Sequence, residues 1–268
     1  MLAAKVGNQA FAMLPHATGF HIGKAWGLPG AIAEWTAADF HHGTSSPVDE
    51  AGFRQVVEEW AGHQRQLAGL GRRTISSSVS TPWGLSQHAV AYADGVIAHS
   101  TASHGGFALE PNRNAAVPSM LRSGDGFYEE DCAWAAVAIA FPDLFTDYEK
   151  RHADETLRQF YPEAWEAVRD TTLEPGQSRT KDRRQFDRDN ADRWVVISAI
   201  LSSHRPGFVE CIATLGGRRS SAGGQGVAER RYLVCEEHYD IGAFGFVIDE
   251  HRDQRYGGPS SFIGWREP

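Results

Sequence analysis

Hydrophobic and polar positions divide the chain into four regions. Up to about residue 73 the pattern is mostly helical. Its clearest element follows Ser46-Pro47-Val48-Asp49, which offers an N-cap serine, a proline at the first helical position and an acid three residues after the cap. Phe53, Val56, Val57, Trp60 and Leu67 then recur at near-helical spacing opposite Glu58, Glu59 and Arg65. Gly69 and Gly71 end that helix, and the glycine-rich stretch 19–30 before it reads as loop.

Residues 76–109 read as a small antiparallel sheet. Asp94-Gly95, between apolar segments 88–93 and 96–101, predicts a two-residue hairpin turn needing positive φ. Such a turn pairs Ala93 with Val96, Tyr92 with Ile97, Val90 with His99 and His88 with Thr101. Side chains alternate along a strand, so Tyr92, Ile97, Val90, His99, His88 and Thr101 should share one face, apolar near the turn and polar at the far end. Gly105-Gly106 then turns the chain into a short strand, 107–109.

Residues 128–141 read as a helix stopped by Pro142. After Cys132 it is apolar almost all round, which predicts a central core helix. A second helix is expected over 147–160, and Pro162 starts a third. Residues 149–193 carry 10 Lys/Arg and 11 Asp/Glu, a balanced, solvated surface. Beyond them 194–201, 208–215, 231–235 and 243–249 read as strands of a meander, with a turn at Pro206-Gly207 and a glycine-rich loop over 216–226. The expected class is α+β: a helical N-terminal part, a small central antiparallel sheet packed on a buried helix, and a C-terminal antiparallel β-meander. The expected division is an α+β domain over 1–171 (helical 1–75, hairpin sheet and core helix 76–171), a charged linker or loop over 172–192 and a β-rich part over 193–268.

Composition narrows the function classes. The 268 residues contain no run of 18 apolar positions, and residues 1–13 lack the pattern of a secretion signal, so a cytoplasmic protein without membrane contact is expected. A formal net charge of -8 argues against direct, non-specific nucleic-acid binding. It suits a basic protein partner. Cys132, Cys211 and Cys235 are odd in number and lack C-x-x-C spacing, which fits a reducing compartment rather than a disulfide framework.

The densest polar cluster joins the run His99–Gly106 (HSTASHGG) to the run Tyr128–Trp134 (YEEDCAW). His99, His104, Glu129 and Glu130 are the candidate catalytic residues, because imidazole paired with carboxylate supports general acid–base chemistry. His88, Thr101, Ser103, Gly105, Gly106 and Asp131 are candidate ligand-binding residues, the glycines allowing close backbone approach. No metal is assigned and the cofactor is unknown. Glu129, Glu130 and Asp131 equally fit a first helical turn, where acids offset the helix dipole without any chemistry. Cys132 reads as a core residue rather than a nucleophile. Gly216-Gly217-Arg218-Arg219 is basic and glycine-rich but lacks P-loop spacing.

Two resemblances add context. His41-His42-Gly43-Thr44 resembles the first motif of ADP-ribosyltransferases, which implies NAD held by His42; a matching second motif and an E-x-E are absent. The run Thr81-Pro82-Trp83-Gly84, with HSTASHGG and YEEDCAW, resembles a domain family of unknown function from proteins of proteobacterial plasmids and other mobile elements, over roughly residues 80–145. That resemblance implies an accessory protein of the bacterial cytosol, in a setting where proteins counter host restriction or CRISPR systems. Two functions are therefore expected: an anti-defence factor that binds a host protein, or a hydrolase or transferase built on the His/acid cluster.

Overall fold

The computed structural model describes residues 1–17, 19–42, 47–219 and 227–262. The chain is α+β and divides into two compact units, Met1–Thr172 and Leu173–Pro268. Among the described residues, no helix is long and apolar enough to cross a membrane.

The first unit begins with a sheet of strands β1 (Ala3–Val6), β2 (Gln9–His16), β3 (Gly19–Trp26) and β4 (His41–His42), paired in that order. The expected N-terminal helix follows as α1 (Glu50–Gly69). Ser46 lies outside the described residues; the cap is Asp49, whose side chain accepts a 2.8 Å bond from the Gly52 N–H. The sheet itself was hidden in the sequence for a physical reason. Ala10 to Leu14 is buried without interruption because β2 has core on both sides. Leu14 packs with Trp35 and Phe40 on one face, and Phe11 and Met13 pack with Phe53 on the other. A strand buried on both faces shows no alternation. Gly23 supplies the close approach: a Cβ there would lie 2.5 Å from Leu14 Cδ1 and 2.9 Å from Phe40 Cβ.

The central sheet contains β5 (Arg73–Ile75), a small hairpin of β6 (Ser80–Thr81) and β7 (Gly84–Leu85) beside it, then β8 (His88–Ala93), β9 (Val96–Ser100), β10 (Gly105–Leu109) and, after helix α2 (Pro111–Ala116), β11 (Phe127–Glu129). Its antiparallel order is β11-β10-β9-β8-β5. One face packs on α3 (Trp134–Ala140), where Ala135 to Ala138 are fully buried against Val96, Phe107, Leu109 and Tyr128. Helix α4 (Asp147–Phe160) closes this core with Ala153 and Leu157, and α5 (Pro162–Arg169) follows. Arg72 fastens the sheet to α4. Its guanidinium donates to both oxygens of Glu149 at 2.8 and 2.6 Å, donates to Leu144 O, and lies over the Tyr92 ring.

Two expectations are corrected here. The helix read over 128–141 starts only at Trp134. Residues 127–129 are an edge strand and 130–133 a turn. Tyr128 points into the core and donates its hydroxyl to Asn114 Oδ1, which fixes it on the sheet. An all-round apolar run carries no phase from which to read a helix start. The hairpin register is also different. Ala93 pairs with Val96 as expected, but a β-bulge at Tyr92 shifts the ladder, so Ala91 pairs with Ile97, Ala89 with His99 and His88 with Ser100. A one-residue slip moves every later side chain to the opposite face. His88 and His99 therefore do not share a face.

In the second unit, helix α6 (Arg179–Asp189) occupies much of the segment expected as a charged linker or loop over 172–192. The Ser178 hydroxyl accepts from the Lys181 N–H and starts the helix, and ion pairs such as Arg183–Asp187 line it, so its alternating charges are those of a solvated helix. The meander runs β12 (Trp194–Leu201), β13 (Phe208–Leu215), β14 (Glu229–Cys235) and β15 (Gln254–Arg255). Residues 243–249, expected as a strand, contribute only an isolated bridge, Val195 to Val247, while Phe246 and Ile248 plug the core around Trp194 and Tyr232.

Candidate functional site

The pairing of β9, β10 and β11 builds the site. His99 pairs with Gly106, and Gly106 pairs with Glu129, so these three stand in a row on the face turned away from α3. Neighbouring strands lie about 4.8 Å apart, which puts His99 and Glu129 about 10 Å apart across Gly106. The space between them is filled. Trp83, from the β6–β7 turn, lays its ring over Gly106, where a Cβ would come 2.5 Å from Trp83 Cη2. Its edge meets Phe127 at 5.9 Å between ring centroids.

Trp83 thus splits the expected constellation in two. On one side His99 is buried and shares a 2.9 Å hydrogen bond between its Nδ1 and Ser86 Oγ. It lines a pocket of about 480 Å³ with Ile75, Ile97, Ala108 and the 76–79 segment. On the other side His104 stands directly before β10, and Glu129 and Glu130 stand at the end of β11. His104 Nδ1 is 3.7 Å from Glu129 Oε1 and 3.9 Å from Glu130 Oε1. The Glu130 N–H donates to Gly105 O at 3.0 Å, which ties the two segments together.

The remaining candidates have local roles. Thr101 Oγ1 donates to His104 O at 2.8 Å and accepts from the N–H groups of Ser103 and His104, holding the 101–104 turn. Asp131 donates its N–H to Glu129 Oε2 at 2.8 Å. Gly105 and Gly106 belong to β10 rather than to a turn. Exposed His88 pairs with Ser100 and is not part of the cluster. Glu129 ends a strand and Glu130 opens a turn, so neither caps a helix. Cys132 lies in the same turn; burial, then the charges of Asp131 and Glu129, push its thiol up, which keeps it protonated. The His42 side chain and Gly43 to Ser46 lie outside the described residues, as do 220–226 of the glycine-rich loop. Trp83 and Ser86 are the site residues that sequence reasoning missed. The Thr-Pro-Trp-Gly turn was a visible signal for the first, and nothing marked the second.

Burial pushes the His99 imidazole below its ordinary value, and does the same to His63, held by Thr146 Oγ1 at 2.8 Å, and to His152. Each is neutral when folded at pH 7. A depressed folded-state value means that these groups contribute stability above about pH 6.5, and that this contribution is lost as the pH falls through their folded values. The melting temperature should therefore drop on acidification from pH 7.5 to 5, and less steeply in His99→Gln. Equal slopes for the two proteins would show that His99 is not held neutral.

Residues 76–191 match the family model described as Domain of unknown function (DUF7007). The match takes in both halves of the divided cluster. No curated protein and no solved structure matches the chain.

Proposed function

We propose that this chain, which carries a domain of unknown function over residues 76–191, acts by binding a basic protein partner. The biological setting we propose is that of a plasmid or phage accessory factor that inhibits a host restriction or CRISPR-type protein in the bacterial cytoplasm. The observation that carries the binding reading is the location of the negative charge. Residues 94–147 hold eight Asp or Glu against two basic residues, Arg113 and Arg122. Seven of the eight acids are exposed; Glu129 is half-buried. Both arginines are turned to backbone carbonyls, Arg113 to Asp94 O and Arg122 to Ala115 and Val117 O. Lys150 offsets one acid, Asp147. Such a field speeds encounter with a basic surface and repels nucleic acid.

Affinity capture from lysates of several bacterial hosts, at low and raised salt, tests this reading. The wild-type chain should retain a specific basic protein at low salt. A variant with Glu110→Lys, Asp131→Lys and Asp143→Lys should lose it. Retention of no partner in any host, or equal retention by the variant, would overturn the proposal.

A hydrolase or transferase is the second reading, favoured by the convergence of His104, Glu129 and Glu130. His99, its fourth expected member, stands behind Trp83 and takes no part in it.

A further inference from the structure

We propose that His104, Glu129 and Glu130 form a binding site for one divalent metal ion of the Mn²⁺ or Zn²⁺ class. This does not depend on the partner-binding reading. His104 is distant in sequence from the adjacent pair Glu129 and Glu130, yet the main chain places them together. Gly106 pairs with Glu129, and the Glu130 N–H bonds to Gly105 O, so 104–105 and 129–130 are adjacent ends of two paired strands. One nitrogen and two carboxylate oxygens lie within 4.8 Å of one another.

The spacing favours a shared ion over direct contact. His104 Nδ1 stands 3.7 and 3.9 Å from the two carboxylates, beyond hydrogen-bond length. Donors placed about 2.1 Å from a common metal lie about 3–3.5 Å from one another, so a small side-chain adjustment closes the set. Glu129 adds an independent observation. Its Oε2 accepts the Asp131 N–H, but its Oε1, the atom nearest His104, is shielded from solvent and accepts no hydrogen bond. A shielded carboxylate oxygen without a partner is costly, and a bound cation removes that cost. The Asp131 N–H then acts as the outer contact that orients a ligating carboxylate. Gly105 leaves room for the third donor, because a Cβ there would lie 2.6 Å from Glu130 Oε2.

Imidazole with two carboxylates is a mixed donor set that suits Mn²⁺ or Zn²⁺ better than a soft-metal or purely oxygen-bound ion. Three protein ligands leave coordination positions open to water or to a ligand oxygen, as in exchangeable or reactive sites rather than closed structural ones.

The test uses the full chain, stripped with chelator and dialysed, and titrated with Mn²⁺ while the free-ion paramagnetic resonance signal is followed. One Mn²⁺ should bind per chain and be displaced by an equivalent of Zn²⁺. His104→Gln and Glu129→Gln should each weaken binding tenfold or more. More than half of the His104 side chain is exposed, so His104→Gln should melt like the parent without metal and carries the test if Glu129→Gln does not fold. Absence of saturable binding at millimolar Mn²⁺, or undiminished binding in His104→Gln, would overturn the proposal.

Discussion

Replacing Gly106 with alanine should destabilise the central sheet by about 3–5 kcal/mol, combining overpacking with backbone strain. Gly106 has φ +154°, a conformation that side chains rarely adopt. Its absent Cβ would strike Tyr128 O, a main-chain atom of the paired strand that cannot turn aside, and would press on the Trp83 ring. Urea unfolding should show a much lower midpoint, and near-ultraviolet circular dichroism should show Trp83 losing its fixed environment. Gly124→Ala is the control, since nothing lies within 4 Å of a Cβ there. If the two variants unfold at the same midpoint, Trp83 does not seat on Gly106 and the cluster is not divided as described.

The second large effect is expected in the other unit. Glu210 is fully buried on β13 and takes hydrogen bonds from Arg231 at 3.0 Å, from Ser260 Oγ at 2.8 Å and from the Ser261 N–H at 2.8 Å. Arg231 also donates to Gly258 O at 2.7 Å. The pair therefore pins the 258–261 segment against the meander. Arg231→Ala leaves a buried carboxylate without its counter-charge and should cost about 3–5 kcal/mol near pH 7. Glu210→Leu combined with Arg231→Met removes both charges and should recover part of that loss. Burial pushes the Glu210 carboxyl up, but the Ser261 N–H, the Ser260 hydroxyl and Arg231 outweigh it and hold it below the usual glutamate range. A depressed folded-state value means stability present above that range and lost as the pH falls through the folded value. Wild type and Arg231→Ala should therefore converge in acid. A constant gap down to pH 3 would contradict the pairing.

How far the sequence revealed this molecule depends on what each element presents to solvent. Helix α4 begins and ends where its pattern said, because one face is polar and Thr146 caps it through the Glu149 N–H. Strands β12 and β13 also lie where they were read, bounded by the Pro206-Gly207 turn. The N-terminal sheet was invisible because β2 is buried on both faces and because Gly23, packed directly against Leu14 and Phe40, adds no apolar side chain to the pattern. The bulge at Tyr92 was invisible because Ala89, Ala91 and Ala93 fit either face of a sheet equally well. For the site, the runs around His104 and around Glu129 marked the right neighbourhood. They did not show that Trp83 stands between His99 and the acids, since that contact comes from a turn more than forty residues before Glu129.

The bulge also bears on how such a domain can diverge. Tyr92 is the one residue that the ladder between β8 and β9 does not count. Loss of a single codon there would restore an unbroken two-stranded ladder without touching the turn at Asp94-Gly95. Every residue of β8 before the bulge would keep its partner on β9, and with it its face, because the ladder already passes over Tyr92. Ala89 would stay opposite His99 and His88 opposite Ser100. A length change of one residue can thus be absorbed at this point: it withdraws the Tyr92 ring from Arg72, Phe107 and Phe145 while the strand pairing, the turn and the core helix stay in place.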